Sequence, residues 1–219
     1  MVQLEELHPA GYGMFVYSPD VFVNFLKAEK CRARKLLTYF DKHRDVFFRA
    51  IGDGVAMPFY RLSTLRYPIF VSRDGGTDTP EGWKPVYRHD GFFIKVGESG
   101  RLCFAAFDYL EYHKDLIDKQ QTEFFKIYPS GLNEVMLRYN HAVGFDIPAG
   151  LYNFDLFAYR RVAPLDESTP ENYGRNYAFG FAFRRTESAE NDNLTKGDNE
   201  KTIFDIPWYI ESTREQSKD

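Results

Sequence analysis

The chain has 219 residues, a net charge of −4, 43% hydrophobic residues and only two cysteines. This length and composition indicate a globular protein of one large domain or two small ones, and they exclude a disordered chain and a disulfide scaffold. The slightly acidic balance argues against a general nucleic-acid binder, and no apolar run is long enough to span a bilayer. The first residues lack the basic start and apolar stretch of a secretory signal, so we expect a cytoplasmic protein.

The clearest predicted helix lies near the N terminus, after a short apolar segment at 14–17 that predicts a strand. Ser18 is a favoured N-cap residue, and Pro19 is tolerated at the first position of a helix. Apolar residues then recur at helical spacing as far as Phe40. This pattern predicts a helix over residues 19–40, either continuous or broken near Cys31.

Short apolar segments separated by turn residues dominate the chain from residue 46 onward. The Asp-Gly and Gly-x-x-Gly sequences between these segments predict the turns of an antiparallel meander, with one turn at residues 89–91. The predicted strands are 46–51, 55–62, 67–73, 86–88, 92–96, 102–107, 135–139, 151–162, 177–183 and 203–206. The charged residues 108–121 predict one further short helix.

Aromatic residues make up 17% of the chain, which suits a β core. In residues 177–183, Tyr and Phe alternate with Ala and Gly, so the aromatic face is expected in the core and the small face lets another element approach closely. We therefore predict an α+β fold, an antiparallel aromatic-rich β-sheet or sandwich with one main N-terminal helix. A single domain is expected over residues 1–211, followed by a polar tail over 212–219.

The sequence contains none of the familiar motifs for catalysis, cofactor binding or metal binding. The five histidines do not lie at metal-ligand spacing, and there is no phosphate-binding loop, dinucleotide fingerprint or nucleophile elbow. Cys103 lies in an apolar strand and should have an inert thiol. We therefore expect no metal, no cofactor and no catalytic residue of a recognised type.

Charge is distributed unevenly along the chain. Segment 27–49 carries eight basic and three acidic residues, so its net charge is +5 and the remainder carries −9. Its cations either form a solvated helix face or dock an acidic partner, and the candidate contacts are Arg32, Arg34 and Lys35. Residues 187–202 are acidic and rich in turn residues, which predicts a mobile hairpin loop with almost nothing to bury. Its candidate contacts to a basic partner are Glu187, Glu190, Asp192, Asp198 and Glu200.

One fragment resembles part of an enzyme family. Phe59-Tyr60-Arg61, followed by Arg66, Pro68 and Phe70, is similar to the first strand of arginine-type ADP-ribosyltransferases. In that family a strand arginine holds the nicotinamide dinucleotide, and the matching residue here is Arg61. The Ser-Thr-Ser strand and Glu-x-Glu loop of the family are missing from this sequence. An enzyme of unrecognised type is therefore the alternative function.

In size, acidity and lack of motifs, the chain resembles the immunity proteins of bacterial toxin systems, including those paired with type VI or polymorphic effectors. The segment Asp146-Ile147-Pro148-Ala149-Gly150-Leu151-Tyr152 is similar to the strand entry in some of these families. The resemblance implies a non-catalytic protein that neutralises a cognate protein toxin or effector by occluding it. The resemblance carries over no site residue. From charge and composition, we expect no nucleic-acid and no membrane partner.

Overall fold

The computed structural model describes residues 2–76, 78–130, 135–189 and 193–194. The predicted strand at 203–206 and the predicted tail at 212–219 lie outside these residues. In chain order, the elements are β1 (Val2–Leu7), β2 (Gly13–Tyr17), α1 (Pro19–Ala28), α2 (Leu36–Lys42), α3 (Arg44–Gly52), β3 (Ala56–Tyr60), β4 (Tyr67–Ser72), β5 (Trp83–Val96), β6 (Arg101–Ala106), α4 (Phe107–Tyr112), α5 (Lys114–Asp118), β7 (Phe124–Ser130), β8 (Val135–Asp146), β9 (Gly150–Arg161) and β10 (Tyr177–Thr186). Among these helices, none has the length and apolar character needed to cross a membrane.

The strands form two five-stranded sheets. Sheet A has the order β1-β4-β10-β9-β5 and sheet B the order β3-β2-β6-β8-β7. Neighbouring strands are antiparallel, except that β4 and β10 pair in parallel. The inner faces of the two sheets share one apolar core, and the helices pack on the outer face of sheet B over a second core. The predicted α+β fold with an aromatic, antiparallel-rich sandwich is confirmed.

Aromatic and small residues alternate along β10, and the aromatic side chains lie in the core as predicted. Phe179, Phe181 and Phe183 are buried in the core between the sheets. On the opposite face, a Cβ atom at Gly180 would lie 2.5 Å from the ring of Tyr159 in β9. The small face of β10 therefore makes room for an aromatic ring from its neighbour.

The predicted helix over 19–40 is broken near Cys31, the second of the two alternatives. Lys30 takes a left-handed conformation with φ +52°, and the Cys31 N–H donates to the Leu26 carbonyl at 2.9 Å. This is the Schellman ending of a helix, in which the left-handed position is usually Gly. Helix α5 ends in the same way, with φ +57° at Gln120. The predicted single helix is therefore the pair α1 and α2, separated by a loop at residues 31–35.

The predicted strand at 46–51 is wrong, because these residues belong to helix α3. Val46 and Ala50, four positions apart, are buried on the side of α3 that faces the core under the helices. Arg49 on the exposed side lies 3.0 Å from Asp45 and 2.6 Å from Glu29 in two ion pairs. A short apolar run does not by itself distinguish a strand from a helix, and here tertiary packing decides.

The predicted turn at residues 89–91 is also wrong, since β5 continues through it. The pairing of β5 with β9 shifts register between His89 and Phe92, which marks a β-bulge. Gly91 has φ +82°, and its N–H donates to Asp155 Oδ1 at 3.4 Å. The Asp-Gly signal therefore belongs to a bulge within one strand, where the backbone bends without reversing.

Candidate functional site

Three predicted contact residues lie together at an open cleft. The loop at 31–35 faces helices α4 and α5 across a cavity of about 490 Å³. We call this site the basic cleft, and its lining residues are Cys31, Arg32, Ala33, Arg34, Tyr112, Lys114, Asp115 and Asp118. Lys35 lies at its edge, with Nζ 5.4 Å from the centre of the Tyr112 ring.

Arg32 and Arg34 outnumber Asp115, so the lining of the cleft has a net charge of +1. Lys114 forms an ion pair with Asp118 one helical turn away, so these two charges compensate each other. Arg32 and Arg34 are exposed, and neither has an ion-pair partner in the part of the chain that the structure describes. Their guanidinium groups are therefore available to carboxylates of a partner.

Glu111 fixes the loop against α4. Its carboxylate accepts hydrogen bonds from the Thr38 N–H at 3.1 Å and the Thr38 Oγ1 at 2.6 Å, and it lies 3.8 Å from Lys35 Nζ. A carboxylate at the first turn of α2 also interacts favourably with the helix dipole. The Glu111 side chain is only 13% exposed, so this contact joins two helices and positions Lys35 over Tyr112.

Tyr112 is the aromatic residue of the cleft. It is the last residue of α4 and is 63% exposed, whereas Tyr109 and Leu110 of the same helix are fully buried. An exposed tyrosine beside arginines matches the composition of protein–protein interface centres. The sequence prediction included the three cations but not Tyr112, because a lone tyrosine in a charged helix has no distinguishing pattern.

Of the predicted acidic contacts, the structure describes only Glu187, which is exposed just after β10. The other four, Glu190, Asp192, Asp198 and Glu200, lie outside the described residues. The expectation that this segment buries almost nothing is wrong at residues 193–194. Asn193 is fully buried and bonds the backbone of Ile51 and Phe93, while Leu194 packs against the core between the sheets.

Arg61, the arginine of the enzyme alternative, lies just beyond the end of β3. It is exposed and has φ +63°, a left-handed conformation that belongs to a turn. The residue therefore stands outside the strand in which the resemblance to ADP-ribosyltransferases would place it.

Three histidines that are distant in the sequence gather near Asp108. The Asp108 carboxylate lies 2.8 Å from His141 Nδ1 and 3.2 Å from Lys126 Nζ. The ring of His8 lies 5.6 Å from that of His141, and His113 contacts the group through Phe124. Over the described ranges, no three His, Cys, Asp or Glu side chains converge as metal ligands would. Separately, burial raises the pKa of Cys103 to about 12, which agrees with the predicted inert thiol.

The histidine cluster predicts that acid weakens the fold. Burial, and then the neighbouring His141, lower the pKa of His8 from 6.5 to about 4. Between these pH values the unfolded chain binds a proton that the folded chain does not. The free energy of unfolding should therefore fall as the pH falls from 6.5 to 4, by roughly 3 kcal/mol from this residue. Denaturant titrations at several pH values measure this loss.

The matched variants are His8→Asn and His43→Asn. Asparagine keeps a donor near the position from which His8 Nδ1 contacts the Leu65 carbonyl, so His8→Asn should flatten the pH dependence while leaving the fold intact. His43 is exposed, and its replacement should leave the pH dependence as in the unaltered protein. An undiminished acid loss in His8→Asn would contradict the prediction.

No protein-family model and no curated protein matches this chain. Among solved structures, the chain is similar to one described as "Crocagin biosynthetic gene J", with 13% identity, a TM-score of 0.41, and coverage of 83% of this chain and 97% of that one. It is also similar to ComJ from Bacillus subtilis, an inhibitor of the DNA degrading activity of NucA, with 12% identity, a TM-score of 0.36, and coverage of 83% and 97%. Similarity at this level is too low to transfer a function.

Proposed function

We propose that this protein is a non-catalytic inhibitor that binds an acidic surface of a partner protein, a toxin or effector, through the basic cleft. The observation that carries the proposal is the exposed Tyr112 ring beside two arginines without ion-pair partners, Arg32 and Arg34. Tyrosine and arginine are the residues most often found as energetic anchors at interfaces. Uncompensated arginines favour a partner that offers carboxylates.

Contacts within the chain also fix the residues that border the cleft. Two helices that border it, α1 and α5, end in Schellman turns at Lys30 and Gln120. Glu111 ties the first turn of α2 to α4, and Lys35 lies over the Tyr112 ring. A preorganised site loses less side-chain and backbone entropy on binding, which suits an inhibitor that must remain bound.

The experiment titrates the protein against the partner that co-purifies with it and scores the remaining toxic activity of that partner. Inhibition by occlusion should saturate at an equimolar ratio. Tyr112→Ala should weaken binding about 30-fold, because a central aromatic anchor contributes about 2 kcal/mol. The paired variant Arg32→Gln/Arg34→Gln should weaken binding and reduce its dependence on salt.

The matched control is Tyr173→Ala, which removes a tyrosine of similar exposure, 58%, far along the chain from the cleft. Its binding should be unchanged. Equal losses in Tyr112→Ala and Tyr173→Ala, or none in either, would contradict the assignment of the interface to the basic cleft. Protection at far below an equimolar ratio that disappears in Arg61→Ala would instead establish the enzyme alternative.

A further inference from the structure

The outer face of sheet A holds a carboxylate that is shared by two arginines. Asp155 in β9 is fully buried, and its Oδ2 lies 2.9 Å from Arg88 Nη2 of β5 and 2.9 Å from Arg184 Nη1 of β10. Arg184 also donates to Oδ1 at 3.1 Å, so it binds Asp155 in a bidentate manner. The two arginine side chains remain 54% and 39% exposed.

One arginine is enough to balance the charge of the buried carboxylate, so the second adds positive charge. The bidentate bond from Arg184 neutralises Asp155, and the Gly91 N–H supplies a further donor at 3.4 Å. Arg88 adds a second positive charge, so the group of three keeps a net charge of +1. The Arg88 guanidinium also lies 5.5 Å from the centre of the Phe157 ring, which holds it in place at the surface.

Further cations surround this group. Strands β5, β9 and β10 are neighbours in sheet A and together carry seven basic and two acidic residues. The strand register places Lys95 and Arg161 on the same face as Arg88 and Arg184. Of the two acidic residues, Asp155 is the buried one already bound by arginines. The four cations of this face, Arg88, Lys95, Arg161 and Arg184, outnumber Asp155 and the exposed Asp90. The face is therefore cationic even though the whole chain has a net charge of −4.

We propose that this outer face of sheet A, centred on Arg88 and Arg184, is a second docking surface that binds an acidic protein segment. A partner carboxylate can bind the exposed Arg88 guanidinium beside Arg184, whose two Nη atoms already bind Asp155. Lys95 and Arg161 would contact acidic residues farther along the same segment. The surface is distinct from the basic cleft, and its assignment does not rest on the proposed function.

An acidic polypeptide fits this face better than a nucleic acid. The rings beside the arginines are buried, with Trp83 8% and Phe157 6% exposed, so neither is open for stacking on bases. Lys95 and Arg161 lie near opposite ends of the β5–β9 pair, roughly 30 Å apart, with Arg88 and Arg184 between them. The acidic balance of the rest of the chain would repel an extended phosphate backbone.

The test measures binding of short poly-L-glutamate to the full chain by fluorescence anisotropy at two salt concentrations. Arg88→Gln/Lys95→Gln should weaken binding about tenfold at low salt and reduce its salt dependence, because two contacting charges are removed. The matched control, Lys84→Gln/Arg185→Gln, removes the same charge from the same sheet but on the opposite face. Its binding should change far less. All proteins in this test carry Arg32→Gln/Arg34→Gln, so that poly-L-glutamate bound at the basic cleft does not contribute.

Each other outcome has a defined meaning. Equal weakening in the control, or complete loss of poly-L-glutamate binding once Arg32→Gln/Arg34→Gln is introduced, would overturn the proposal. A single-stranded DNA of equal charge that binds more tightly than poly-L-glutamate, and loses binding in Arg88→Gln/Lys95→Gln, would assign the face to nucleic acid instead. If the double variant does not fold, Lys95→Glu alone tests the same face, because Lys95 is exposed. Unchanged binding in Lys95→Glu would then overturn the proposal.

Discussion

Arg184→Met is expected to lower the free energy of unfolding by about 3 kcal/mol, because it leaves a fully buried carboxylate with only one half-exposed cation. Methionine retains the aliphatic contact with Gly75, so the loss reports on charge rather than on packing. Burial alone would raise the pKa of Asp155, but hydrogen bonds and charge from Arg184, together with the Gly91 N–H and Arg88, hold it below its ordinary value. Denaturant unfolding at neutral pH measures the loss.

The adjacent residue provides the control. Arg185 is exposed and points to the opposite face of β10, so Arg185→Met should change stability by no more than about 0.5 kcal/mol. In Arg184→Met the pKa of Asp155 should rise, and the stability deficit should therefore shrink as the pH is lowered and the carboxyl is protonated. Adding Asp155→Asn to Arg184→Met should recover part of the loss. A deficit that is independent of pH would contradict this account.

Asn193→Ala is expected to cost about 2–3 kcal/mol, because it leaves three buried backbone groups without their partner. The Asn193 side chain accepts from the Phe93 N–H at 2.9 Å and donates to the carbonyls of Phe93 at 2.8 Å and Ile51 at 2.9 Å. These bonds join β5 to the end of α3. Thermal and denaturant unfolding of the variant measure the loss of stability.

The control for this variant is Asn24→Ala on the exposed side of α1, which should leave stability nearly unchanged. A deletion that includes residues 193–194 should be as costly as Asn193→Ala, in contrast to the sequence-based expectation of a dispensable loop. If Asn193→Ala unfolds at the same denaturant concentration as the unaltered chain, the contact does not contribute to stability in solution.

The fold was predictable from the sequence where apolar periodicity was regular. The alternation in residues 177–183 predicted the buried face of β10, and the helical spacing after Ser18 predicted α1 and α2. The prediction failed where a short apolar run fits either a strand or a helix, as in α3. It also missed β1 and β7, since β7 exposes Phe125 and Ile127 and so lacks a clear apolar face.

The candidate site was predictable only in part. Arg32, Arg34 and Lys35 are adjacent in the sequence, so their charge was visible in a local count. Tyr112 joins them only through the packing of α4 against α2. The cationic face of sheet A could not be found in this way, because Arg88 and Arg184 come from strands that are distant in the sequence.

Strand β10 has a consequence for the synthesis of this protein. It is the last strand that the structure describes, yet it lies in the middle of sheet A, between β4 and β9. Residue 69 on β4 therefore cannot pair with residue 179 on β10 until most of the chain has left the ribosome. Such long-range pairing slows folding. Until then, β4 and β9 each present an unpaired edge, so the nascent chain passes through a stage in which it can associate with other chains or with chaperones.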